Sequence, residues 1–151
     1  MKHSAGIIPF RVTDGKYEFF VGHPGGPFWS KKNYWALLKG GIQDGEDELM
    51  AAVREFNEES GVKLPQDVIK HLVKVTTVKQ NPKKKVTAFA VKYGNIDPKV
   101  CFSNMADDCD WPEIDKYAWV EYSELVNITN KTNVVFYEEI VRMDKEGTFR
   151  C

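Results

Sequence analysis

Residues 37–62 read LLKGGIQDGEDELMAAVREFNEESGV and carry seven carboxylates and one arginine. Between Asp47 and Ser60, the apolar residues Leu49, Ala52, Val53 and Phe56 recur at i, i+3, i+4 and i+7, which predicts a helix with a buried stripe. Asp47 can cap its start, and Gly61 can take the left-handed position that ends it. Pro65 then argues against quick resumption of helix. Glu55, Glu58 and Glu59 stand at i, i+3 and i+4, so their side chains converge on one patch. By helical geometry that patch lies roughly a quarter to a third of a turn from the apolar stripe. The expectation is a helix that buries one side and presents three surface carboxylates at the edge of the fold. Like charges at this spacing repel, so something holds them there or they are there to hold something. Arg54 can pair with Glu58 at i+4. A cluster of carboxylate oxygens suits a hard divalent cation such as Mg²⁺, which takes one or two carboxylates together with waters and substrate phosphates. A solvated acidic face would show the same spacing, so spacing alone leaves both readings open.

Outward from this helix, SAGIIPF and YEFFVGH read as two strands joined at Asp14-Gly15 by a tight turn. PGGPFWSKKNY is a glycine- and proline-rich loop that carries Phe28, Trp29 and Tyr34, and WALL is a short strand entering Gly40-Gly41. HLVKVTTVKQ and KVTAFAVKYG form a further antiparallel pair around NPKK, and KYAWVEY is another strand. NVVFYEEIVRM has helical periodicity in Val134, Val135, Tyr137, Ile140 and Val141 and closes the domain. There is no internal repeat, low-complexity tract or linker. Strands, helix, strands, helix in this order predict one α/β domain over residues 1–151, a mixed sheet with helices packed on it.

The bulk composition excludes several classes. A length of 151 residues with 42% hydrophobic and 13% aromatic residues supports one core without staples. The formal net charge of −1 gives no global attraction to nucleic acid or membrane. Three cysteines, Cys101, Cys109 and Cys151, lack metal-ligand spacing and suit a reduced, intracellular protein. The apolar run before Arg11 is too short for a signal-peptide core or a membrane span, so the expected address is the cytoplasm.

The wider segment decides between the readings of the acidic helix. Gly40, five residues, Glu46, seven residues and then Arg54-Glu55-Phe56-Asn57-Glu58-Glu59-Ser60-Gly61-Val62 match in full the Nudix box, G-x5-E-x7-R-E-U-x-E-E-x-G-U, with U a bulky aliphatic or aromatic residue. Such a match would arise by chance on the order of once in a billion positions at average residue usage. The chain resembles a Nudix hydrolase. HSAGIIPF, VGHPGGPFW, VTAFAV and WPEIDKYAWVEYSEL look like segments of a subgroup labelled predicted NTP pyrophosphohydrolases, so the likeness runs from about Ser4 to Leu125. Leu38 departs from it, standing where many relatives have proline.

The resemblance implies a Nudix fold, a mixed β-sheet sandwiched between α-helices. It also implies hydrolysis of a phosphoanhydride in a nucleoside diphosphate linked to another group, with Mg²⁺ or Mn²⁺ as cofactor. By the same resemblance, Glu55, Glu58 and Glu59 are metal-ligand positions, joined by the backbone carbonyl of Lys39. Arg54 and Glu46 are supporting positions that fix loop and helix, and Gly40 and Gly61 are the box glycines. The general base comes from Glu59 or Glu58, or from the later loop DDCDWPEID, which holds Asp107, Asp108, Asp110, Glu113 and Asp115. Glu113 is favoured for its place before the AWV strand.

Weaker signals have plainer alternatives. Phe28 or Trp29 can stack on a nucleobase, with Lys39 also facing substrate, or the HPGGPFW loop can simply pack Trp29 onto the core. His23 reads as structural or as a substrate hydrogen-bond donor. Lys83-Lys84-Lys85 reads as a solvated turn, the alternative being a cationic hand on a polyphosphate chain. The leading expectation is a nucleoside triphosphate pyrophosphohydrolase acting on a small nucleotide. The alternatives are a diadenosine polyphosphate hydrolase, removal of 5′ pyrophosphate from RNA, and a non-catalytic nucleotide sensor with the same fold. No nucleic-acid or membrane partner is expected, and monomer or homodimer stays open.

Overall fold

β1 (Lys2–Thr13) and β2 (Lys16–Pro24) form the antiparallel pair that the two apolar runs predict. The computed structural model, which describes residues 1–150, turns between them at Asp14 (φ 51°) and Gly15 (φ 76°). Positive φ at both central residues is the two-residue hairpin geometry that Asp-Gly favours. Cys151 lies outside the described residues.

β1 is the centre of the sheet. One edge takes β5 (Lys84–Lys92) in parallel, and the other takes β3 (Leu38–Gly41) along its first half and β2 along its second. With β4 (Val73–Asn81) and β6 (Ile114–Glu121) outside, the order is β4-β5-β1-β2-β6, with β3 on β1. The expected strand at WALL lies further along: the paired residues are Leu38–Gly41, and Ala36 makes only an isolated bridge to Gly22. The reason is that this segment enters the gap where β1 and β2 part. Gly22 and Ala36 exchange backbone hydrogen bonds of 2.9 and 3.0 Å there, and a Cβ on Gly6 would collide with the carbonyl of Leu38. Ser4 thus stands opposite Gly41, and Ala5 opposite Gly40.

Helix α1 (Glu48–Ser60) covers one face of the sheet, burying Ala52 and Phe56 against Ala5, Ile7, Phe20 and Phe89. Two short helices, α2 (Gln66–Ile69) and α3 (Tyr122–Leu125), and a 3₁₀ turn at Pro98–Val100 add to the expected elements, α2 starting directly after Pro65. Helix α4 (Lys131–Lys145) covers the other face, burying Phe136, Tyr137 and Ile140 against Ile8, Phe10, Phe19 and Val21. Successive strand residues feed opposite faces. Because both faces are covered, β1 and β2 read as continuous apolar runs rather than alternating ones. Among the described residues, no helix is long and apolar enough to cross a membrane.

Both helices are rotated from the expected phase. On α1 the buried residues are Ala51, Ala52, Phe56, Glu59 and Ser60, while Leu49 and Val53 are half-buried. On α4, Asn133 and Phe136 are buried and Val135 is exposed. Periodicity counts apolar residues, whereas burial follows where the neighbouring elements lie. For Leu49 the consequence is measurable. Leu49→Ala is expected to cost about 1–2 kcal/mol in urea unfolding, below the 2–5 of a fully buried leucine. A loss above about 3 kcal/mol would contradict its half-buried position.

Candidate active site

Helix α1 begins and ends as its sequence requires. Asp47 Oδ1 accepts from the Met50 amide at 2.8 Å, and Gly61 (φ 73°) donates its amide to Asn57 at 2.8 Å. The last carbonyls of a helix have no partner within it. Here the loop before β6 supplies them, as the amides of Asn104 and Phe102 donate to Glu58 at 2.9 Å and to Ser60 at 3.0 Å. The Phe102 ring rests on Gly61, where a Cβ would come within 2.5 Å of it. The C-terminus of α1 therefore holds the 102–113 loop over the glutamate face.

Three segments of the chain form most of one cleft of about 440 Å³, whose walls include Glu55, Glu58, Glu59, Lys39, Asp107 and Glu113. β3 supplies Lys39, Gly40 and Gly41, α1 the three glutamates, and the 102–113 loop Asn104, Asp107 and Glu113. Lys39, Glu59 and Glu113 also line an adjoining hollow of about 210 Å³ beside Trp29 and Tyr34. Glu59 is thus a wall between a polar cleft and an aromatic one.

Glu59 is not the surface carboxylate that the helical wheel suggests, being only 5% exposed. Its Oε1 accepts the Lys39 amide at 3.2 Å. Burial pushes its carboxyl up to about 9, and the nearby charges of Glu55 and Glu113 add to the shift. Burial likewise raises Glu55 against the lowering pull of Arg54, and burial lowers the Lys39 ammonium although Glu59 opposes this. Gly40 is glycine for a steric reason: the Glu55 carboxylate lies where a Cβ would be.

Arg54 is the hub of the acidic face. Its Nε and Nη2 clasp the two oxygens of Glu46 at 2.7 and 3.0 Å, Nη1 reaches Glu55 and Glu58 at 2.9 Å each, and Nη2 also donates to the Gly41 carbonyl at 3.0 Å. The pairing expected with Glu58 is one of four. Arg54 and the Gln43 amide hold the Glu46 carboxyl down at about 2.

The donor set fits a hard divalent cation: several carboxylates, two of them, Glu55 and Glu59, held above their ordinary pKa largely by burial and also by neighbouring carboxylates including Glu113, which a cation would relieve. As placed, no group of three acidic, histidine or cysteine side chains among the described residues converges to hold one. Arg54 draws an oxygen of Glu55 and one of Glu58 toward itself instead.

Of the expected base-stacking residues, Trp29 faces the smaller hollow, stacked on Tyr34 with ring centroids 4.7 Å apart. Phe28 stands outside it, 66% exposed, with Lys32 Nζ 3.9 Å over its ring. Within DDCDWPEID, Asp107 and Glu113 reach the cleft, whereas Asp115 turns to His23 at 2.7 Å. His23 is buried and lies off both hollows. Of the lysine run, Lys84 and Lys85 belong to β5 rather than to a turn, with Lys84 opposite Lys2. Lys2 and Ser4 line the cleft without any sequence signal, because only the pairing of β1 with β3 brings them there.

The NUDIX domain family model matches residues 2–142. Among curated proteins, the asymmetrical bis(5'-nucleosyl)-tetraphosphatase of Caenorhabditis elegans is 30% identical over 132 residues, covering 85% of this chain and 91% of its own. An RNA pyrophosphohydrolase of Pelagibacter ubique is 24% identical, covering 78% of each. Among solved structures, an Ap4A hydrolase binary complex from Caenorhabditis elegans superposes with a TM-score of 0.73 at 21% identity, over 97% of this chain and 99% of that one. The NUDIX domain of Shewanella oneidensis NrtR with ADP ribose gives 0.66 at 13% identity, over 93% and 86%. At these identities the structural likenesses show the fold.

Proposed function

The chain belongs to the Nudix family and is a phosphoanhydride hydrolase of the pyrophosphohydrolase kind, and from that premise we propose that it cleaves a nucleoside triphosphate or a related small nucleotide with the help of Mg²⁺ or Mn²⁺. The observation that carries this reading is the shared wall of Lys39, Glu59 and Glu113 between the carboxylate cleft and the aromatic hollow. A nucleotide spanning it has its base beside Trp29 and Tyr34 and its phosphates over the glutamates.

Glu55, Glu58 and Glu59, with the Lys39 carbonyl, would hold the cation. When bound, it offsets phosphate charge and lowers the pKa of a coordinated water. The protein's own residues do the rest. Arg54 keeps the glutamates in register, and Lys39 places a cation beside the phosphates. Gly40 and Gly41 let backbone approach without a side chain in the way. Glu113 takes the proton from the attacking water.

A second reading, asymmetric hydrolysis of a dinucleoside tetraphosphate, is favoured by the name of the 30% identical relative and by Lys2, which lines the cleft opposite Lys84. A longer phosphate chain would meet Lys2. One panel separates the readings: nucleoside triphosphates, diadenosine polyphosphates, ADP-ribose and nucleotide sugars, each with Mg²⁺, Mn²⁺ or chelator. Turnover is expected with metal, concentrated on one compound class, and lost with chelator. Turnover undiminished by chelator would overturn the metal-dependent reading.

A further inference from the structure

Two sequence segments, HPGGPFW and DWPEID, enter the proposed chemistry only through Trp29 and Glu113, and the structure locks them together. We propose that His23, Gly25 and Gly26 are positioning residues for Glu113, forming a backbone clamp that sets the direction of its carboxylate. This inference rests on Glu113 being the general base.

The clamp is built from close backbone packing. The Gly25 amide donates to the Glu113 carbonyl at 2.9 Å, and the Glu113 amide donates to the Asn104 carbonyl at 2.9 Å, so both peptide groups of Glu113 are held. A Cβ on Gly25 would collide with the Pro112 carbonyl. Gly26 has φ +97° and lies against the Trp111 indole, where a Cβ would stand 2.5 Å from Nε1. Glycine at both positions therefore answers to the loop opposite, and at Gly26 to its own positive φ as well.

His23 completes the arrangement. The register between β2 and β6 slips here, His23 pairing with Lys116 and Pro24 with Ile114, so Asp115 is the extra residue of a bulge. A bulge beside an active site re-aims the neighbouring side chains. His23 Nδ1 meets the carboxylate of this residue at 2.7 Å, and Nε2 meets the Lys32 carbonyl at 2.7 Å, tying the bulge to the far end of the aromatic loop. Among the described residues, no hydrogen bond holds the Glu113 carboxylate itself. With no such partner, the carboxylate follows the backbone that carries it, which is what the clamp controls.

The test is a double-mutant cycle of Gly25→Ala and Glu113→Gln, with kcat, KM and thermal melting measured on the full chain using the substrate found in the panel. Gly25→Ala is expected to lower kcat about 10²-fold, the cost of misplacing a reacting group by about 1 Å, with KM nearly unchanged. In the Glu113→Gln background the same substitution is expected to change nothing further. Full kcat in Gly25→Ala beside a crippled Glu113→Gln overturns the clamp and leaves the base intact. Full kcat in Glu113→Gln overturns the base reading and the clamp with it. Additive losses also overturn the clamp, since they show that Gly25 acts elsewhere. If Gly25→Ala fails to fold, Asp115→Asn runs through the same cycle, with a smaller non-additive loss as support and additivity as refutation.

Discussion

Glu59→Gln is expected to lower turnover by about 10³-fold or more while leaving the protein folded, the several kcal/mol that charge stabilisation at a phosphoryl group is worth. The substitution keeps the shape and the acceptor for the Lys39 amide but removes from the wall that both hollows share a carboxyl that would give up its proton on binding a cation. Near-wild-type turnover would remove the carboxylate account. The same variant has a second readout. Glu59 is held at about 9 against an ordinary 4.5, so between these values the folded chain keeps a proton that the unfolded chain releases. Its contribution to stability is full below about 4.5 and is lost as pH rises through about 9. In chelator, the wild-type melting temperature should therefore fall more steeply over that window than that of Glu59→Gln, and Mg²⁺ should close the gap at high pH. Parallel curves for the two proteins would contradict a buried, proton-holding Glu59.

Arg54→Ala is expected to cost both stability and activity. Its guanidinium satisfies three carboxylates and the Gly41 carbonyl at once. Removing it leaves Glu46, Glu55 and Glu58 to repel without an offset. For a partly buried hub the loss is about 2–4 kcal/mol, somewhat under that for breaking a fully buried pair. Arg54→Lys should recover little of it, since a single ammonium cannot reproduce the planar fork that clasps both Glu46 oxygens. Glu46 adds a pH dependence of the opposite sign to that of Glu59. Held near 2, it stabilises the fold above about 4.5 and loses that contribution as pH falls through about 2. Urea unfolding and kcat on both variants give the result. An Arg54→Ala protein as stable and active as wild type would show that the network is incidental.

Other readings depend on which contacts are local. The helix of the acidic segment, its Asp47 cap and its Gly61 terminus were legible because each depends on residues within a turn of one another. The Asp14-Gly15 hairpin was legible for the same reason. The burial of Glu59 was not. On a helical wheel it sits with Glu55 and Glu58, and only β3 packing on that side of α1, with the Lys39 amide at hand, encloses it. Phe28 and Trp29 are neighbours of similar chemistry, yet the loop directs one outward and stacks the other on Tyr34.

The sequence by itself determined the family, the α/β class and the glutamates of the acidic helix, since these rest on spacing along one short stretch and on the order of strands and helices. Only the tertiary structure decided which face of that helix is buried, which acidic residues of the later loop reach the cleft, and why Gly25 and Gly26 are glycines. Those outcomes depend on residues distant in sequence meeting in space, Lys39 with Glu59, Phe102 and Asn104 with the end of the acidic helix, and Gly25 with Glu113 beside the bulge, and no local period along the chain encodes those meetings.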